Sequence, residues 1–159
     1  MRRIGIFLIL CVIATGFCFG QLPHTFTQYT SEDGLSQNTI MSILQDDKGV
    51  MWFATWDGLY KFDGYTFNNY KAHPGDSIGL SNNRLDNIKE DRYGYIWVQS
   101  YNHQVYRFNP RLERFQAIPY DNYLSLDMYV LPCGDVWIIT VQNELIHIST
   151  HPETHEMKA

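Results

Sequence analysis

The chain has 159 residues, a formal net charge of −5, 45% hydrophobic and 15% aromatic residues, and only 18% charged ones. An acidic balance without basic clusters gives no support to nucleic-acid or anionic-membrane binding. The aromatic content points to sheet cores, with some rings left over for ligand contact.

Residues 1–20 read as an export signal. Arg2 and Arg3 precede an apolar run over 4–19, and small Gly20 stands before the more polar Gln21. A retained N-terminal anchor is the alternative, because the run approaches bilayer length. Phe17 before Cys18 argues against a lipoprotein cleavage site. Cleavage after Gly20 leaves 139 residues, with ten basic against seventeen acidic ones and Cys133 as the single cysteine. An internal disulfide is then ruled out, a soluble exported segment is expected, and stability must come from a core.

Downstream, residues 21–38 are expected to hold a leading strand at 26–29 and a turn-rich loop, Thr30-Ser-Glu-Asp-Gly-Leu-Ser36. A first unit over 39–70 follows, with strands at 39–45, 50–55, 59–62 and 66–70. Its centre runs Gly49-Val-Met-Trp-Phe-Ala-Thr-Trp-Asp-Gly58, with turns set by Asp57-Gly58 and Asp63-Gly64, since Asp-Gly supplies the positive φ that tight hairpins need. A second unit over 71–120 repeats the order, with strands at 84–90, 96–100, 105–108 and 114–118. A third over 121–150 supplies 127–131, 136–140 and 144–149. The tail, 151–159, holds no run able to make a fourth strand, so this last unit reads as incomplete.

Trp52, Trp97 and Trp137 recur 45 and then 40 residues apart, each shortly after a turn glycine, Gly49, Gly94 and Gly134. A period of 40 to 45 with four short strands is the signature of a propeller blade. Leucine-rich and hexapeptide solenoids have shorter periods, and no segment carries the 3.6-residue pattern of a helical repeat. The second strands, Met51-Trp-Phe-Ala54 and Ile96-Trp-Val98, are apolar on both faces, as a sheet between two neighbours requires. The expected fold is therefore all-β, about three four-stranded blades of an incomplete propeller behind a signal peptide. Propellers close with roughly four to eight blades. The remaining blades of a longer polypeptide are the expected partners, and self-assembly into a ring is the alternative.

Several residue runs resemble the two-component regulator propeller family. These are Tyr29-Thr-Ser-Glu-Asp-Gly-Leu-Ser-Gln-Asn38, Ile43-Leu-Gln-Asp-Asp-Lys-Gly49 and Met51-Trp-Phe-Ala-Thr-Trp-Asp-Gly-Leu-Tyr-Lys-Phe-Asp-Gly-Tyr-Thr-Phe67. Gly79-Leu-Ser-Asn-Asn83 and Asp91-Arg-Tyr-Gly-Tyr-Ile-Trp97 are similar to a second copy. The third departs most, lacking Gly-Leu-Ser and carrying Pro132-Cys133 in its turn. The resemblance implies the periplasmic sensor of a hybrid two-component histidine kinase, a homodimer in the full-length protein, with oligosaccharide ligands. No nucleic-acid contact is expected for this segment, on the charge balance given above. A stand-alone secreted propeller that binds or scaffolds is the alternative.

No catalytic constellation, metal set or cofactor is assigned. Gly75-Asp-Ser77-Ile-Gly79 matches a nucleophile elbow in letters, but His73-Pro74 before it and a loop after it supply neither the strand nor the helix that chemistry needs. His147, His151 and His155 recur every four residues, yet His147 sits in an alternating strand and Pro152 opposes a helix. Asp46, Asp47 and Asp91 lack calcium-loop spacing and are read as turn residues. Candidate ligand contacts are Trp56 and Tyr101, which hold the same hairpin position in units one and two. Their rings could stack on sugars, with Asn102 and His103 adding hydrogen bonds, or could pack against a neighbouring loop.

Overall fold

The computed structural model describes residues 25–36, 39–73, 75 and 79–159. The expected export signal and Ser77 lie outside the described residues. A short 3-10 turn, Ser31–Asp33, is capped by Thr30, whose side chain and backbone exchange hydrogen bonds with the turn, and it ends at Gly34 in the left-handed region (φ 101°). Three four-stranded antiparallel sheets follow in sequence.

The first sheet comprises β1 (Ile40–Gln45), β2 (Met51–Thr55), β3 (Gly58–Phe62) and β4 (Phe67–Tyr70), in that spatial order. The second comprises β5 (Leu85–Glu90), β6 (Ile96–Ser100), β7 (Val105–Asn109) and β8 (Arg114–Ala117). The third comprises β9 (Ser125–Val130), β10 (Val136–Thr140), β11 (Leu145–Thr150) and β12 (Met157–Lys158). This is the up-and-down meander of a propeller blade, three times over.

The repetition extends to irregularities. In each first strand one residue, Met41, Asp86 or Leu126, is skipped in the pairing with the second strand. Such a bulge tightens the local twist where the innermost strands crowd together. Ser42 and Asn87, at matching positions of β1 and β5, are in hydrogen-bond contact at 3.5 Å across two sheets.

The blades pack face to face. Trp52, Ala54 and Leu59 of the first sheet are buried against Leu85, Ile88, Ile96, Tyr106 and Phe108 of the second. Trp97 and Val105 are buried against Met128, Val136, Ile138, Ile146 and Ile148 of the third. All of β6 is buried, because only the central blade has a neighbour on both sides. In β10, and in β2 as far as Ala54, buried and half-buried residues alternate. Burial of apolar surface on alternate faces, at about 25 cal/mol per Å², is what joins one blade to the next.

Two expectations are corrected. Residues 26–29 form no strand: Phe26 is exposed, and Tyr29 instead packs edge-on against Phe62 and Phe67 at 5.0 and 5.6 Å. The tail, by contrast, does complete the third sheet, as Met157 and Lys158 pair with Thr150 and Ser149. A two-residue strand leaves no periodic trace in sequence. Tertiary contacts define it: Arg107 of the second sheet donates to the His155 carbonyl at 2.8 Å, and the Tyr95 hydroxyl meets the His155 ring at 3.1 Å.

Candidate functional site

Two constellations recur in the blades. One is structural and occupies the turns between first and second strands. Asp46 accepts from the amides of Lys48 and Val50 through Oδ1 and from Trp52 Nε1 through Oδ2 at 2.9 Å. Asp91 does the same for Tyr93, Tyr95 and Trp97 Nε1, the last at 2.8 Å. Gly49, Gly94 and Gly134 take the left-handed conformation these turns need, at φ 82°, 79° and 96°. In the third blade Leu131 stands where the other two have aspartate. Trp137 there is half-buried and lies flat on His147, 4.5 Å between centroids, while His147 contacts Asp135 at 3.0 Å.

The three histidines spaced by four do not converge. His147 stacks on Trp137, His151 Nδ1 accepts from its own turn, and His155 reaches the second blade. Among the described residues no group of His, Cys, Asp or Glu is arranged to hold a metal.

The second constellation lies at the opposite ends of the sheets, where the hairpins between second and third strands meet the segments that enter each blade. A buried hydroxyl clamps each hairpin: Thr55 and Ser100 donate to the carbonyls of Gly58 and Gln104, and Thr140 accepts from the Glu144 amide. The next residue is Trp56, Tyr101 or Val141. Its amide donates to the carbonyl just ahead of its own blade's first strand, that of Thr39, Arg84 or Leu124. That bond holds the side chain beside the strand-entry residue.

In the first two blades the result is a layered stack. The Arg84 guanidinium carbon lies 4.2 Å from the centroid of Trp56 and 4.2 Å from that of Tyr101, well inside cation–π range. Trp56 and Tyr101 remain 40% and 54% exposed, so their outer surfaces stay open. Arg84 was not visible as a site residue from sequence; it comes 28 residues after Trp56, and only blade-to-blade packing brings the two together.

Asn102 and His103 flank the stack with most of their polar capacity committed. Asn102 Oδ1 accepts from Ser100 and its Nδ2 donates to Ser81, which itself meets the Tyr106 hydroxyl. His103 contacts the Ser125 carbonyl through Nδ1 at 2.9 Å, while its own carbonyl accepts from the Ser125 amide and hydroxyl. Both residues tie the hairpin to its surroundings.

Asp57 is a further polar hub on this face. Its carboxylate accepts from Ser36 and Lys71, each at 2.6 Å, and more distantly from Tyr60. Burial pushes the carboxyl up, but the Lys71 ammonium and the two hydroxyls outweigh it and hold the group below 3.8. Ser36 and Ser81 contact Tyr60 and Tyr106 at matching positions, which explains the recurrence of Gly-Leu-Ser ahead of the first two blades.

Residues 34–57 match the two component regulator propeller family. Over 83 residues, 51% of its length, the chain is 40% identical to "Histidine kinase P4" of Formosa agariphila and spans 6% of that protein. Its fold is similar to the extracellular domain described for a hybrid two component system of B. thetaiotaomicron, with a TM-score of 0.66 and 24% identity over 86% of this chain and 20% of that one. It is also similar to virginiamycin B lyase from Staphylococcus aureus, with a TM-score of 0.56 and 16% identity, covering 85% of this chain and 48% of that one. Proteins with unlike names thus share the sheet arrangement, so the likeness speaks for the fold alone. No helix among the described residues is long and apolar enough to cross a membrane. The chain is an array of propeller blades in which residues 34–57 match the two component regulator propeller repeat.

Proposed function

We propose that this chain is the sensing propeller segment of an exported two-component signalling protein, and that the face bearing Trp56, Arg84 and Tyr101 receives an oligosaccharide. The observation that carries the reading is the layered stack. Two aromatic rings from successive blades are fixed at the same hairpin position with their outer surfaces open, inside a chain whose residues 34–57 match a signalling repeat. Pyranose rings present apolar C–H faces to aromatic side chains, and a rigid ring pair loses little freedom on binding. Occupancy would reach a kinase as a shift between preexisting domain or dimer geometries.

Titration of the full chain with a panel of plant and algal oligosaccharides tests this. Trp56→Ala is expected to weaken binding by about tenfold, the scale of one stacked ring, with an unchanged melting temperature. Undiminished affinity in a folded Trp56→Ala protein would remove the stack from recognition.

A further inference from the structure

We propose that the Arg84 guanidinium is a carboxylate receptor, so that the saccharide taken by this face carries a uronic acid. The inference rests on the saccharide reading above and narrows it to a charged class.

Four observations converge on Arg84. Its guanidinium carbon lies 4.2 Å from the centroids of both Trp56 and Tyr101, so two rings confine the group. The side chain has no hydrogen-bond acceptor among the described residues, and its Nε is buried without a partner. The two ion pairs among the described residues, Lys71 with Asp57 and His147 with Asp135, leave it out. Finally, the chain has 17 acidic residues against 12 basic ones, so counterions for a purely structural arginine are abundant, yet none has been placed here.

A guanidinium confined between two rings can still bond in its own plane, where its N–H groups form a fork that matches the two oxygens of a carboxylate. A uronate suits the rest of the site: its carboxylate meets the fork while its ring carbons lie along the open surfaces of Trp56 or Tyr101. Because the rings already hold the arginine, little side-chain freedom is left to lose on binding. The third blade has Leu124 and Val141 at the corresponding positions, both partly exposed and neither able to reproduce the pair. Recognition of charge therefore belongs to the junction of the first two blades.

The test is calorimetric titration of the full chain with oligogalacturonate, oligomannuronate and a glucuronate-containing hyaluronan fragment, each beside its carboxyl-reduced neutral counterpart. At least one acidic member should bind about tenfold or more tightly than its neutral partner, and raising salt from roughly 0.05 to 0.5 M should erode that difference. Arg84→Gln should abolish the preference, and Arg84→Lys should reduce it, because an ammonium keeps the charge but loses the fork. The two variants separate a folding defect from a binding one, since Arg84→Lys with parental melting still reports the loss. Neutral saccharides binding as well as acidic ones would overturn the carboxylate receptor and leave the sensor reading intact. Failure of both kinds to bind would overturn the saccharide reading itself, and the inference with it.

Discussion

Trp97 Nε1 donates to Asp91 Oδ2 at 2.8 Å across the turn that joins β5 to β6, and both residues are buried. Trp52 and Asp46 repeat the contact one blade earlier. The carboxylate thereby closes its own turn and orients the indole that the next blade covers. Asp91→Ala should cost about 2 to 3 kcal/mol, since it strands a buried indole N–H and two turn amides. Denaturant unfolding would measure it; a variant with parental stability would mean that the bond is incidental.

The tryptophans should differ sharply in weight. Trp97 is fully buried between the second and third blades, whereas Trp137 is half-buried on the outer surface of the third. Trp97→Ala is expected to cost about 3 to 5 kcal/mol, and Trp137→Ala well under half as much in the same chain. Equal losses in chemical denaturation would contradict the packing described here.

Two turn glycines separate backbone strain from crowding. A Cβ at Gly58 (φ 111°) would lie 2.5 Å from the Tyr70 carbonyl oxygen and 2.6 Å from Asn69 Oδ1, while one at Gly94 (φ 79°) meets nothing within 4 Å. Gly94→Ala should lose only the left-handed penalty, about 1 to 2 kcal/mol. Gly58→Ala must also displace the backbone of β4 and should lose distinctly more. Comparable melting temperatures for the two variants would refute the ranking.

Glu90 predicts a pH dependence. Burial and the neighbouring Asp47 and Asp46 charges push its carboxyl up to about 7, against the relief of a hydrogen bond from the Asp47 amide at 3.0 Å. A carboxyl raised in the folded state favours the protonated form, so its contribution to stability is complete below about 4.5 and fades as pH climbs through about 7. Glu90→Gln should therefore melt higher than the parent near pH 8 and close to it near pH 4.5. Parallel melting profiles for the two proteins would place the group elsewhere.

Where local pattern and fold agree, the chain was legible from its letters. The tryptophan period gave the three sheets, and Asp-Gly and the turn glycines gave their corners. Residues 96–100 and 136–140 came out as β6 and β10 at their observed bounds. What escaped was tertiary in origin. Met157–Lys158 is a strand because the turn before it docks on Arg107 and Tyr95, and nothing in the pattern of residues 151–159 announces that. Tyr29, aromatic and β-prone, suits a strand by its type, whereas the first sheet uses it as a plug on Phe62 and Phe67. The aspartates six residues before Trp52 and Trp97 were visible as turn formers, but their bond to the indole was not. Arg84 was missed for the plainest reason: its two partners lie far from it along the chain, on hairpins of different blades.

At both seams of this array an indole projects from one sheet into an apolar bed on the next, Trp52 among aliphatic and aromatic side chains and Trp97 among mainly aliphatic ones. Such units join only in one sense, tail to head, and any whole unit inserted at a junction brings both the projection and the bed needed to restore it. Lengthening by duplication of entire 45-residue segments therefore preserves fit at each seam, whereas excising half a segment leaves an indole facing no bed.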